Sequence, residues 1–347
     1  MLQLDVLIFD MDGVLIDVSA SYRDAVRQSA QLYLEAVMGL PPCADDLISR
    51  EEVAAFKLAG GFNNDWDLAT GVLQYFVAML DAPPATRPPP ETLPEISALL
   101  RQAGRQISAT VETLRQRKDM LSFADTLRTR GSGLEAVRNL LGNRNDHLLF
   151  AKGDLRRTNL VKRLFEEIYL GEDLFREEYG ESSIFHHGAG LIHHERLIPN
   201  PQTLIALSQR VALGIATGRP RRQAIYALER TGILKQFRAL VTLEDILAAE
   251  ISRSARNGRG VSLSKPHPFA LWEAVTRITP ARVRGAYVGD TPDDVRAANA
   301  AKREMDFVSI GCLAAAEDQA ALRRELERVG VDVIVEHPDE LVELIEQ

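Results

Sequence analysis

Apolar and polar positions alternate along this chain in two different ways. Val6, Leu7, Ile8 and Phe9 form a short continuous run of β-formers, the pattern of a strand buried on both faces of a parallel sheet. From Ser19 to Val37 the apolar positions Ala25, Val26, Ala30, Tyr33, Leu34 and Val37 keep helical spacing, with Ser19 or Ser21 to cap the start. Ser49 and Glu52 stand three apart at the head of a second helix, as in a capping box. That helix runs to about Leu58 and ends at Gly60-Gly61. Another apolar helical stretch covers Leu68 to Leu80.

Residues 81–94 hold six of the sixteen prolines and read as a linker. Beyond it Ile96, Leu100, Ala103, Ile107, Leu114 and Leu121 make a heptad stripe. It predicts one helix of about 30 residues, roughly 95–130, interrupted at Thr110 and Arg117. Such a stripe either packs the helix on its own domain or serves as the arm of a homodimer. Residues 134–180 continue as helices, with Leu160, Leu164, Ile168 and Leu174 at buried spacing. From Pro199 on, strand and helix alternate, with strands at Val211–Ala216, Ala239–Thr242, Ala286–Val288, Phe307–Ile310 and Val331–Val335. Ile251–Ser264, with two glycines and three arginines, reads as a loop. Strand–helix alternation predicts an α/β doubly wound parallel sheet, Rossmann-like, with helices on both faces. No internal repeat is visible.

Composition narrows this picture. The 347 residues exceed one average domain, and 46% hydrophobic content supports a sizeable core. A net charge of −8 argues against a nucleic-acid surface. No run is long and apolar enough for a membrane span, and no signal peptide is visible. Cys43 and Cys312 have no metal-ligand spacing and read as free thiols in a reducing compartment. A cytoplasmic protein is the expectation.

The candidate chemistry begins where the first strand stops. Asp10-Met11-Asp12-Gly13 puts two carboxylates two residues apart at a strand's carboxyl end, a costly arrangement unless a cation or a proton is shared. Gly13 permits a sharp turn there. Three later segments carry further polar groups: Ile215-Ala216-Thr217-Gly218-Arg219-Pro220, Lys265-Pro266-His267-Pro268 and Gly289-Asp290-Thr291-Pro292-Asp293-Asp294. Each lies at a strand end or a helix start, and a doubly wound sheet gathers such ends along one edge.

In type and order these four segments resemble the four signatures of the haloacid dehalogenase (HAD) superfamily. The resemblance covers residues 1–20 and about 199–347 well, and the middle of the chain only loosely. It implies a HAD core of residues 1–16 and 199–347, with a large, mainly α-helical cap of residues 17–198 inserted after the first strand. It also implies a Mg²⁺-dependent phosphomonoester hydrolase working through an aspartyl-phosphate. Asp10 would be the nucleophile, Asp12 the general acid and base, and Thr217, Lys265 and the Gly218 amide the groups that hold the phosphoryl oxygens. The metal would sit on Asp10, the Asp12 carbonyl, Asp290 and Asp294. Asp293 would cap its helix.

Dehalogenases of the superfamily lack the second acid, because a halide leaves without a proton. Asp12 therefore points to a phosphatase or a phosphomutase, and nothing here provides the shielding and rebinding a mutase needs. A non-catalytic scaffold built on the same fold is the rival of a different class. The expected partner is a small phosphorylated metabolite, with no nucleic acid and no membrane.

In capped relatives a loop between the first cap helices reads the substrate. That assigns Lys57, Asn63, Asn64 and Asp65 to the pocket, although Asn and Asp serve equally well as local helix caps. His186, His187, His193 and His194 bracket a glycine-rich turn. Adjacent residues of a strand point to opposite faces, so a zinc site is not expected from them. One of them lining the cleft would respond near neutral pH.

Overall fold

The structure is a computed structural model that describes residues 1–62, 64–84, 89–257 and 260–345. The chain divides into two compact units, Met1–Val18 with Glu195–Gln347, and Ser19–His194.

The first unit is built on a six-stranded parallel sheet. Its strands are β1 (Val6–Phe9), β4 (Ala212–Ala216), β5 (Phe237–Val241), β6 (Arg284–Gly289), β7 (Asp306–Cys312) and β8 (Val333–Val335), in the order β5-β4-β1-β6-β7-β8. β1 lies between β4 and β6, pairing Phe9 with both Ile215 and Val288. This central place explains the unbroken apolar run, since all four β1 residues are buried. Val6 and Ile8 pack with Ala270, Leu271 and Ala274 of the Phe269–Ile278 helix and with Ala297, Ala298 and Ala301 of the Pro292–Ala301 helix. Leu7 and Phe9 project to the other face, where Phe9 meets Phe237 edge-on.

A two-stranded antiparallel ribbon accompanies the sheet. It joins β2 (Ile16–Asp17) to β3 (Arg196–Leu197), with Ile16 opposite Leu197 and Asp17 opposite Arg196. Asp17, Val18 and residues 195–198 therefore belong with the sheet, because this pairing ties them to the turn after β1. The sequence had placed them in the inserted domain. A second difference concerns Leu243–Asn257, which is a helix running well into the expected loop. Residues 258–259 of that expected loop lie outside the described residues.

The second unit is helical. Its first helix, Tyr22–Leu32, continues into a π-helical turn at Tyr33–Val37. Ser49 accepts from the Glu52 amide and Glu52 reaches back to the Ser49 amide, so the capping box forms as read. The proposed long arm does not form. Residues 93–130 make three helices instead, Leu93–Gly104, Val111–Arg117 and Met120–Arg130. Thr110, which interrupts the stripe, caps the second of them, and Asp119 caps the third. Ile96, Leu100 and Leu114 are buried, but Leu121 is exposed, since each new cap resets the helical phase. The proline-rich segment is non-helical at residues 81–84 and 89–92, and its last two residues, Leu93 and Pro94, open the first of these helices; residues 85–88 lie outside the described residues.

The Leu160–Tyr179 helix is kinked at Gly171, whose φ is +73°. The kink shifts the phase, so Phe175 is buried in place of the expected Leu174. Among the described residues no helix is long and apolar enough to cross a membrane.

Candidate active site

The carboxyl end of β1 organises the polar groups of the first unit. The Asp10 amide still donates to the Val288 carbonyl at 2.8 Å, as the last link of the β1–β6 ladder. The chain then turns tightly: the Gly13 amide donates to the Ile16 carbonyl, and the Leu15 and Ile16 amides donate to the Met11 carbonyl. Gly13 has φ +81°, and a Cβ there would collide with the Asp290 carboxylate. Glycine is thus required twice, for its backbone angle and for the close approach of β1 and β6 ends.

Lys265 is the central cation. Its Nζ lies 2.9 Å from Asp10 Oδ2 and 2.7 Å from Asp294 Oδ1, and donates to the Tyr287 hydroxyl at 2.9 Å. The peptide bond between Lys265 and Pro266 is cis. The Tyr287 hydroxyl lies 3.1 Å from both the Ala216 carbonyl and Asp294 Oδ1. Asp294 Oδ2 accepts from the Thr291 amide at 2.9 Å and its hydroxyl at 2.6 Å. Thr291, not Asp293, caps the Pro292–Ala301 helix, because its hydroxyl in turn accepts from the Asp294 amide. Asp293 instead pairs with Arg296 at 2.7 Å.

Burial pushes the Asp10 carboxyl up to about 8; Lys265 opposes the shift, while Asp294, Asp290 and Asp12 add to it. Burial works against the charge on Lys265, but Asp10 and Asp294 outweigh it and hold the ammonium cationic. Asp294 ends below the usual carboxylate range, because Lys265 and the Thr291 donors overcome the effect of burial. One carboxylate is therefore held charged by its donors, while burial and neighbouring carboxylates work against charge on the other.

Asp10, Asp290 and Asp294 each bring a carboxylate oxygen within 4.8 Å of the others. Three hard oxygen donors this close, with Asp290 and Asp294 opposing the ionisation of Asp10, suit a small divalent cation such as Mg²⁺. Asp10 and Asp290 fit direct coordination better than Asp294, because each Asp294 oxygen already accepts two protein donors, whereas each Asp10 oxygen accepts one, the Met11 amide on Oδ1 at 2.8 Å and Lys265 on Oδ2. Asp12 accepts from Arg219 Nη2, whose guanidinium also grips Glu195.

Thr217 follows β4 and is buried, its amide donating to the Val241 carbonyl at 3.0 Å and its hydroxyl accepting from the Arg219 amide at 3.2 Å. Gly218 is half-buried beside it. The first unit thus brings Asp10, Asp290, Asp294 and Lys265 together, with Asp12 joined through Arg219 to the turn after β4 that carries Thr217.

The remaining candidates lie in the helical unit. Asn64 Oδ1 accepts from the Asp67 amide at 2.8 Å and caps the Asp65–Ala78 helix, which matches the local reading of this loop. Lys57 Nζ is 4.0 Å from Asp65. Asn63 lies outside the described residues. His193 and His194 end a 3₁₀ turn, Leu191–His194, and the His186 amide donates to Glu167. None of the four histidines belongs to the acidic grouping found among the described residues.

Sequence reading missed Arg219, Glu195, Tyr287 and Thr291 as members of this network. A signal existed for Thr291, which stands three residues before an acid at a helix start, a capping-box spacing. Tyr287 alternates with Gly289 on one strand face. Arg219 sat inside a recognised segment with no partner in view, and Glu195 carried no signal at all.

The model of the haloacid dehalogenase-like hydrolase family matches residues 4–302, and the chain belongs to that family. No curated protein matches it in sequence. Solved structures share the fold. A structural-genomics target has TM-score 0.59 and 19% identity, over 99% of this chain and 98% of that one. Phosphatase Tt82 from Thermococcus thioreducens has TM-score 0.52 and 24% identity, over 93% of this chain and 99% of its own. The protein is therefore a hydrolase with a Rossmann-like HAD core.

Proposed function

We propose that this chain is a magnesium-dependent phosphomonoesterase that acts on a small phosphorylated metabolite through an aspartyl-phosphate at Asp10. The observation that carries the reading is the placement of Asp10, with Lys265 2.9 Å from one oxygen and Asp290 and Asp294 crowding the same strand end. Bound Mg²⁺, held by Asp10, the Asp12 carbonyl and Asp290, would neutralise charge between an anionic nucleophile and an anionic phosphoryl group. Asp294 supports the site by fixing Lys265 and the Thr291 turn.

The Asp10 carboxylate forms a bond to phosphorus, and the ester P–O bond breaks with its electron pair on the departing oxygen. Asp12 gives that oxygen a proton. Water then bonds to phosphorus, returns a proton to Asp12, and the Asp10–phosphorus bond breaks to release phosphate. Lys265, the Thr217 hydroxyl and the Gly218 amide oppose the charge on the phosphoryl oxygens. The phosphatase among the structures of like fold agrees with this reading.

The helical unit acts in this proposal as a cap, with Lys57, Asn63 and Asn64 as its contribution to substrate choice. The net charge of −8 and the two free thiols suit a cytoplasmic enzyme of metabolites rather than of nucleic acids. The test is phosphate release from an aryl phosphate and a panel of phosphorylated metabolites, with and without Mg²⁺, against Asp10→Asn. Magnesium-dependent release that the variant loses is the expected result. Equal rates in the variant, or no release across the panel, would leave the scaffold reading standing.

A further inference from the structure

Arg219 and Glu195 form a buried ion pair, both side chains at 0% exposure. Arg219 Nη1 and Nη2 reach the two Glu195 oxygens at 3.0 Å each, a fork-on-fork pair with a fixed orientation. Nη2 also donates to Asp12 Oδ1. Glu195 itself is anchored, since its carbonyl accepts from Arg230 Nη2 at 2.6 Å and the next residue begins β3. β3 pairs with β2, which starts four residues after Asp12.

A buried ion pair adds little stability over apolar packing of the same volume. Stability alone therefore does not account for this one. Its third contact does suggest a purpose, because the guanidinium plane is fixed by Glu195 on one side and takes Asp12 on the other. We propose that the Glu195–Arg219 pair is a positioning device for the proton-transferring carboxyl of Asp12: it pins Oδ1 and thereby fixes the orientation in which the carboxyl exchanges its proton. This rests on the phosphomonoesterase reading. Neither residue touches substrate, and both act through Asp12.

The leaving group separates this role from a merely structural one. An alkyl phosphate needs its departing oxygen protonated, whereas 2,4-dinitrophenyl phosphate does not. kcat/KM reports the step in which the ester bond breaks, so it is measured for both substrates with Mg²⁺ present. Arg219→Met alone strands Glu195 as a buried charge, so it is paired with Arg219→Met/Glu195→Met. The expected result in the double variant is a roughly 10²-fold loss for the alkyl ester, with the dinitrophenyl ester lowered by less than about threefold. Arg219→Lys, which keeps a cation but not the fork, should recover part of the difference.

Equal losses on the two substrates, or no loss on the alkyl ester, would overturn the proposal. Where circular dichroism shows either methionine variant unfolded, the isosteric Glu195→Gln gives the reading, with a smaller loss confined to the alkyl ester expected and a uniform or absent effect decisive against it. Asp10→Asn and Asp12→Asn separate the two levels of inference. An active Asp10→Asn sinks the phosphatase reading. A dead Asp10→Asn and an alkyl-selective Asp12→Asn, beside clamp variants with no selectivity, sink the clamp alone.

Discussion

Each unit buries a charged cluster, and the two clusters are built to opposite ends. In the helical unit Arg163 and Glu167 are almost wholly buried, at 1% and 0% side-chain exposure. Arg163 donates to Glu167, to Glu181 at 2.6 Å and to the Ser182 carbonyl at 2.7 Å, and its guanidinium lies 4.6 Å from the centre of the Phe175 ring. The Glu167 carboxylate also accepts from the Ile184, Phe185 and His186 amides. Donors and acceptors are matched, and the result ties the 181–186 segment to its helix. At the end of β1, Asp10, Asp290 and Asp294 crowd together around Lys265, with Asp12 and Glu195 on Arg219. That crowding of carboxylates works against ionisation of Asp10 and is useful for holding a cation. A satisfied buried network points to architecture, and an unbalanced one at a strand end points to chemistry.

The largest effect that would break this contrast is at Asp10. Asp10→Asn should cut phosphatase turnover by roughly 10³-fold or more, while leaving the fold intact. It should also remove a pH-dependent penalty. Because the folded carboxyl is raised to about 8 from 3.8, its favourable contribution is full below its unfolded value and is lost as pH rises through the folded one. In metal-free protein the variant should therefore gain Tm over the wild type as pH goes from about 4 to about 8, with no gain at the acid end. Thermal melts across that range check it, and a difference independent of pH counts against surplus charge at this site.

The helical cluster should behave in the opposite sense. Arg163→Met leaves Glu167 buried without its cation and should cost about 3–5 kcal/mol in urea unfolding. The kcat of the folded fraction should not change. Magnesium sharpens the comparison further: at a hundred times its Kd it should stabilise the wild type by about 2.7 kcal/mol. Arg163→Met should keep that gain and Asp290→Asn should lose it, as read by Tm with and without the ion. The smallest effect is at Asn64. Asn64→Ala removes a helix cap and should cost about 1 kcal/mol, with a rise in KM for the metabolite if the loop also reads substrate. Asn64→Asp, which keeps the cap, separates the two contributions.

The legibility of the sequence followed the range of the interactions. β1 and the capping box at Ser49 were readable because their causes lie within four residues. The heptad stripe misled for a related reason: its apolar positions are buried as spaced from Ile96 to Leu114 but not at Leu121, because Thr110 and Asp119 found backbone amides to cap and cut the helix in three. The caps outweigh the continuity of the stripe, a competition that apolar periodicity does not register. The loop expected over Ile251–Ser264 is found at residues 260–264 but not at Ile251–Asn257, where Arg253 and Arg256 are tolerated on a helix.

By itself the sequence determined which residues end the strands and hence which carboxylates, lysine and threonine are available at one sheet edge. Local hydrophobic runs and turn residues are enough for that. Tertiary structure alone decided how the charge is shared: that Lys265 joins Asp10 to Asp294, that Tyr287 stands behind it, and that Arg219 hands Asp12 to Glu195. Coulomb and hydrogen-bond energies depend on separations of a few ångströms between groups distant along the chain. Those separations exist only once the sheet has closed around β1.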